Sequence, residues 1–163
     1  MVLFFMKKVN LFFLLFLFSI TCLSQNYVVK KGNFFDKLTK EEKRIIVNKG
    51  TERKWSGKFI NHSKVGVYIC KACNNPLFKS IHKFNSNCGW PSFDDEIKGA
   101  LIRVRDYSYN MQRTEIICSN CKGHLGHVFE GEGYTNKNVR HCVNSISLDF
   151  INIDTFLKIH QKP

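Results

Sequence analysis

Two Cys-x-x-Cys pairs, Cys70/Cys73 and Cys118/Cys121, constrain this chain more than any other feature of its sequence. Each follows a strand-like run, Val67 to Ile69 and Ile116-Ile117, and so sits where a tight turn begins. A turn of that spacing lets two thiolates hold one ion. Two such turns brought together build the tetrahedral four-sulfur shell that zinc prefers. The 44 residues between the pairs form a long loop, but closure entropy grows only logarithmically with length. Four sulfur ligands leave no coordination position open, so the expected metal is one structural zinc ion on Cys70, Cys73, Cys118 and Cys121. The same spacing also suits two disulfide or redox pairs. Zinc ribbons serve binders, exchange factors and enzymes alike, so this feature says little about activity.

The remaining cysteines bear on compartment. Seven in 163 residues, about 4%, is too sparse for a disulfide-stapled mini-protein. The odd total leaves at least one without a partner in the chain. The length suits one domain, and 15 Phe, 5 Tyr and 2 Trp are too many apolar groups for a disordered chain. Lys7-Lys8, an apolar run from Val9 to Ile20 broken only by Asn10 and Ser19, and small residues at Cys22 and Ser24 form a secretory signal pattern over 1–24, cut after Ser24. The run is short for a spanning helix, which needs about 20 residues. A retained membrane anchor and lipidation of Cys22 are the alternatives, and Thr21 suits lipidation poorly. The expected location is therefore exported, periplasmic or extracytoplasmic, with membrane attachment only if 1–24 is retained. One domain, 25–163, then carries six cysteines into an oxidising compartment, where spare thiols pair. A thiol kept free there needs a dedicated reducing partner.

Helical signal concentrates near the start of that domain. Thr39-Lys40-Glu41-Glu42 reads as a capping box, with Ile45 and Ile46 following and Gly50 placed to end the helix in a left-handed conformation. Beyond it the runs Val65–Ile69, Ala100–Val104 and Thr114–Ile117 are rich in β-branched and aromatic residues, and Val143 to Ile151 alternates. The expected fold is mainly β, two packed antiparallel sheets with short N-terminal helices. The net charge is +12, and residues 25–64 hold eleven Lys and Arg against four acids. With no block of five like charges and no aromatic–basic recognition motif, this reads as a solvated face rather than a nucleic-acid surface.

Cys88 and Cys142 stand outside the metal pairs. Cys88 lies in Asn87-Cys88-Gly89-Trp90-Pro91-Ser92-Phe93, a glycine–proline turn with a large aromatic. Cys142 lies in Arg140-His141-Cys142-Val143-Asn144-Ser145, at the entry to the last strand-like run. The attacking form of cysteine is the thiolate, which Arg140 nearby can stabilise; taken alone, either thiol could equally be a small buried hydrophobe. In Gly123-His124-Leu125-Gly126-His127-Val128-Phe129, two histidines flanked by glycine follow the second metal pair. With the shell already filled by cysteine, both imidazoles are available for hydrogen bonding or proton transfer.

Taken together, CGWPSF at 88–93, MQRTEI at 111–116, the two CxxC pairs, GHLGHVF at 123–129 and RHCVNS at 140–145 make the chain resemble the B-type methionine sulfoxide reductases. The resemblance runs from about Tyr27 to Phe150, with the motifs in the family's order. It implies the family's zinc-bearing β fold and thiol-dependent reduction of the R epimer of methionine sulfoxide, free or in oxidised proteins. By that analogy Cys142 is the nucleophile and becomes a sulfenic acid. Cys88 is the resolving cysteine that closes a disulfide with it, and a thioredoxin-like protein reduces the disulfide. The histidine matching His127 handles the sulfoxide oxygen, and Asn144 helps to organise the site; His124 has the same chemistry available. Trp90 suits an apolar wall for the substrate methyl group, Arg140 a thiolate stabiliser, and Phe129 either core or pocket wall. Asn85 and Asn87 depart from the acid and glycine of many relatives, Asn87 with the expectation of a stiffer loop. The polar segment from Gly131 to Asn138 leaves substrate access open. A monomer is expected. The competing readings are a non-catalytic binding module on the same scaffold and, less compatible with export, a basic zinc-ribbon nucleic-acid binder.

Overall fold

The computed structural model describes residues 32–160; the signal pattern over 1–24, with Cys22, and the start of the resemblance at Tyr27 lie outside the described residues. Among the described residues no helix is long and apolar enough to cross a membrane.

The capping box closes as its sequence requires. The Glu42 amide donates to Thr39 Oγ1 at 3.2 Å, and the Thr39 amide donates to the Glu42 carboxylate at 2.8 Å, opening helix α1 (Lys40–Ile46). The helix ends earlier than Gly50. Lys49 takes the left-handed conformation (φ 57°), and Gly50 donates its amide to the Arg44 carbonyl at 3.0 Å. Ile45 and Ile46 are buried against the sheets.

Among the described residues nine strands follow: β1 (Gly66–Cys70), β2 (Pro76–Lys79), β3 (Lys83–Phe84), β4 (Ser92–Phe93), β5 (Leu101–Asp106), β6 (Arg113–Cys118), β7 (His124–Glu130), β8 (Val139–Val143) and β9 (Leu148–Asn152). Every pairing is antiparallel. A three-stranded sheet has the order β2-β1-β9, and a six-stranded sheet the order β3-β4-β8-β7-β6-β5. This is the mainly β, two-sheet architecture expected from the sequence. α1 is its N-terminal helix, and a second helix, α2 (Ile153–His160), stands at the other end.

The core lies between the sheets. Phe78 of β2 stacks on Phe93 of β4 with centroids 4.3 Å apart, and Tyr68 of β1 meets Phe93 edge-on at 5.0 Å. Such aromatic pairs add about 0.5–1.5 kcal/mol beyond their area burial. β5 is the outer edge of the larger sheet, and its exposed Arg103 and Arg105 guard that edge against pairing with another chain.

The alternating run Val143–Ile151 is not one strand. β8 ends at Val143, a 3₁₀ turn spans Ser145–Ser147, and β9 crosses to the smaller sheet. Short hydroxyl side chains decide the break by bonding to the backbone. Ser145 Oγ accepts the Phe59 amide at 2.8 Å, and Ser147 Oγ donates to the His124 carbonyl at 3.0 Å. Cys142 therefore sits in the penultimate strand.

Candidate active site

The four CxxC thiols meet where the two sheets join. Cys70 and Cys118 close β1 and β6, and Cys73 and Cys121 occupy the turns that follow. The two turns match: Asn74 and Lys122 both have φ 63°, and each donates its amide to the carbonyl of the first cysteine, at 2.8 and 2.9 Å. The Cys70–Cys121 and Cys73–Cys118 sulfurs are 3.6 Å apart, and all four lie within 4.8 Å of one another, fully buried. A tetrahedral shell with metal–sulfur bonds of about 2.3 Å needs sulfurs about 3.8 Å apart. The Gly123 amide and Asn75 Nδ2 reach Cys121 and Cys118 at 3.4 and 3.6 Å, the N–H···S support that a metal-bound thiolate wants. The donor set fits a metal ion in a closed position.

The second pair is placed by strand register. On β8, Cys142 lies directly opposite Ser92 of β4 on one side and His127 of β7 on the other. Cys88 reaches back over the β3–β4 loop, so that its sulfur is 3.8 Å from Cys142 Sγ and 3.5 Å from Ser92 Oγ. The loop is held in that shape. Asn87 takes φ 55°, a conformation that asparagine tolerates better than most residues, so it stands in for glycine without forcing the loop away. Asn85 Oδ1 accepts the Asn87 amide at 2.9 Å, as an aspartate would. Gly89 has φ 94°, and a side chain there would meet Lys54 Cγ at 2.7 Å. The sulfurs are already within about 1.8 Å of a disulfide bond length of about 2.0 Å.

The two histidines are on a strand, not a turn. Residues three apart on a regular strand point to opposite faces. Here the β6–β7 register shifts, with Ile117 opposite His124 and Ile116 opposite Gly126, so Leu125 is an extra residue. The bulge brings both imidazoles to one side, with centroids 5.7 Å apart. Asn144 fastens the bulge: its amide and its Nδ2 both donate to the Leu125 carbonyl, at 2.8 and 3.1 Å. Gly126 lets β7 approach β8, since a Cβ there would lie 2.0 Å from the Cys142 carbonyl oxygen.

Behind each histidine stands a carboxylate. His124 Nδ1 lies 2.8 Å from Glu115 Oε1, whose other oxygen takes Lys49 at 2.8 Å. His127 Nε2 lies 2.8 Å from Asp106 Oδ2, which also accepts Arg113 at 2.7 Å. Hydrogen bonds from Ser108, then His127 and the nearby Arg113 charge, hold Asp106 well below the usual carboxylate range, so Asp106 accepts and His127 Nε2–H donates. Burial chiefly lowers the His124 pKa, against the pull of Glu115, and favours neutral imidazole. Asp106 and Glu115 were not singled out from the sequence. Glu115 sits in the MQRTEI motif, but nothing in that string shows which histidine it reaches.

An open cavity of about 120 Å³ is lined by Trp90, His124, His127, Phe129, Cys142 and Asn144, joined by Thr51 and Arg113. Trp90 Nε1 donates to the Glu52 carbonyl at 3.0 Å, leaving its ring for the wall. Asn144 Oδ1 accepts the Glu52 amide at 2.8 Å, so both ends of that side chain hold backbone. Arg140 stands behind this wall. It forks onto Glu132 at 2.7 and 2.8 Å and lies 4.5 Å from the Phe129 ring. No residue of 131–138 lines the cavity.

The two thiols share one charge. The Cys142 thiol, then Ser86 and Ser92, hold Cys88 down to about 4, whereas that same neighbouring charge and burial push Cys142 well up against the pull of Arg140. One proton leaves the pair readily and the other is retained between the sulfurs.

Comparison with known proteins agrees with this geometry. The SelR domain family matches residues 38–152. The peptide methionine sulfoxide reductase MsrB of Teredinibacter turnerae is 50% identical over 115 residues, 70% of this chain and 84% of that protein. The peptide methionine sulfoxide reductase B3 of Arabidopsis thaliana is 52% identical over 114 residues, 69% of this chain and 64% of that protein. The MsrB of Pseudomonas savastanoi pv. phaseolicola is 50% identical over 104 residues, 63% of this chain and 79% of the relative.

Proposed function

The chain belongs to the SelR family, the B-type methionine sulfoxide reductases, and on that premise we propose that it reduces methionine R-sulfoxide through a sulfenic acid on Cys142 and a Cys142–Cys88 disulfide. One observation carries this reading: Cys142 lines the cavity opposite His127 while its sulfur lies 3.8 Å from Cys88.

Attack begins as the shared proton moves onto Cys88, leaving the Cys142 thiolate facing the cavity. Its sulfur attacks the sulfoxide sulfur, and His127 gives a proton to the oxygen from the ring nitrogen not held by Asp106. The register opposite Cys142 and the neutral form favoured for His124 support His127 in this role; His124, donating Nδ1–H to Glu115, stands beside it. Trp90 and Phe129 pack against the methyl end of the substrate. Methionine leaves, and Cys142 carries the oxygen as sulfenic acid. The Cys88 sulfur then attacks Cys142 Sγ, water leaves, and the disulfide forms. A thioredoxin-like dithiol reduces it, so one donor dithiol becomes a disulfide for each sulfoxide reduced to methionine and water.

Cys70, Cys73, Cys118 and Cys121 would hold a zinc ion, which clamps the turn after β1 to the turn after β6 and keeps β7 in place. The signal pattern over 1–24 supports repair of oxidised exported proteins as the setting, with the enzyme acting as a monomer. The test is a reductase assay with dithiothreitol on separated epimers. Turnover of the R epimer alone is expected, and inert R epimer with metal-replete protein would sink the reading.

A further inference from the structure

We infer that the exposed face of residues 53–55, centred on Trp55, is the docking surface for the dithiol protein that reduces the Cys88–Cys142 disulfide, a partner with an apolar rim around its attacking cysteine and acidic residues beside it. The inference rests on the disulfide cycle proposed above.

Trp55 is an unusual residue to leave in water. Trp55 is 55% exposed, and its backbone holds φ 64°, a left-handed conformation that residues other than glycine rarely adopt. The strain fastens it to the loop of Cys88: the Trp55 amide donates to the Gly89 carbonyl at 2.9 Å. The indole edge and the Lys54 stem lie over Gly89, 3.3 and 2.7 Å from where a Cβ would be. The segment just before it is anchored to the site. Glu52 takes the Trp90 indole N–H, the Asn144 side chain and the Ser145 amide, the last at 2.7 Å.

This segment packs on Gly89, the neighbour of Cys88 in the chain, and stays out of the substrate cavity. The cavity beside Cys142 is lined neither by Cys88 nor by any of residues 53–56. An incoming thiolate that reaches Cys88 Sγ forms a mixed disulfide there and releases the Cys142 thiolate into its cavity. The second thiol of the donor then attacks its own mixed-disulfide sulfur, frees Cys88, and leaves as a disulfide. A protein following that route must lie on Gly89 and Trp55.

Charge agrees with apolar shape. Arg53 and Lys54, the two residues before Trp55, are both exposed. Among the described residues Arg53 has no ion pair, and Lys54 lies only over the Trp90 ring at 5.7 Å. The adjacent acid in the chain, Glu52, turns inward to the Ser145 amide. An aromatic flanked by unpaired cations suits an apolar surface edged with carboxylates.

The test compares wild-type protein with Trp55→Gly, which removes the indole and relieves the positive φ, and with Arg53→Glu. Turnover of methionine R-sulfoxide is measured with dithiothreitol and, separately, with a bacterial thioredoxin, its reductase and NADPH. In both variants the KM for thioredoxin should rise about tenfold, or about 1.4 kcal/mol of docking. The dithiothreitol rate and the KM for sulfoxide should stay within about twofold of wild type. An unchanged thioredoxin KM overturns the docking surface alone. A raised sulfoxide KM with dithiothreitol assigns the segment to substrate and also overturns it. Wild-type protein that works with dithiothreitol yet is never reduced by thioredoxin overturns the donor reading and this inference together.

Discussion

His127 and Cys142 face each other as cross-strand partners on β7 and β8, and the Cys142 carbonyl leaves no room for a side chain on Gly126 one residue away. Strand pairing, not a loop, therefore sets the distance between the proposed acid and the proposed nucleophile. Directly opposite residues on one face have Cβ atoms about 4.5–5.5 Å apart, so a sulfoxide group held between them touches both.

The division between the two thiols is read by the choice of reductant. Cys142→Ser should abolish turnover with every donor. Cys88→Ser should keep dithiothreitol turnover within a few-fold of wild type and lose more than about 90% of it with thioredoxin. Equal rates of Cys88→Ser with both donors would remove Cys88 from the cycle.

The shared charge has a pH signature. With Cys88 held down to about 4, the thiolate is present throughout the neutral range. Carboxamidomethylation of Cys88, followed by mass spectrometry, should proceed at nearly the same rate from pH 5 to pH 8. An ordinary thiol, with a pKa of about 8.5, would slow about tenfold per pH unit over that range, and such a slope would contradict the coupled pair.

Asp106 acts through His127. Asp106→Asn removes the carboxylate charge behind His127 while keeping an acceptor for Nε2–H. The kcat should fall by about tenfold to a hundredfold, less than the about 10²–10⁴ of a lost general acid, with little change in sulfoxide KM or melting temperature. An unaltered kcat would move proton delivery to His124.

Stripping the metal should loosen the join between the sheets. A chelator strong enough to compete, or Cys118→Ser, is expected to release one zinc per chain and lower the melting temperature by more than about 10 °C, because metal affinity is folding free energy in such sites. Metal analysis that finds no zinc, with the four thiols oxidised, would replace the shell by disulfides.

Acid should weaken the fold through Glu96. Burial pushes its pKa up, but His141 and the Arg103 fork outweigh that and bring it to about 2, from 4.5. The stability it contributes is fully present above pH 4.5 and is lost as the pH falls towards 2. Glu96→Gln should cost about 1–3 kcal/mol at pH 7, and the gap to wild type should narrow in melts at pH 3. A gap that stays constant would place the effect in packing.

The family and the mainly β fold were legible in the residue types of this protein. The spacing of Cys70/Cys73 and Cys118/Cys121 pointed to a metal shell because ligand geometry is local to a turn, and Thr39 with Glu42 announced α1 because a cap closes within four residues. The motifs around Cys88, Cys142, His124 and His127 named the cavity walls for the same reason. What the linear order could not show was anything that depends on pairing between distant strands. The bulge at Leu125 puts two histidines on one face that plain alternation would separate. Register sets His127 across from Cys142, while packing beyond the register partners brings Asp106 to His127 and Glu132 to Arg140. Serine hydroxyls break the run after Val143, so that β8 and β9 lie in different sheets. These outcomes depend on which backbone groups find partners far along the chain, and only the closed tertiary structure decides that.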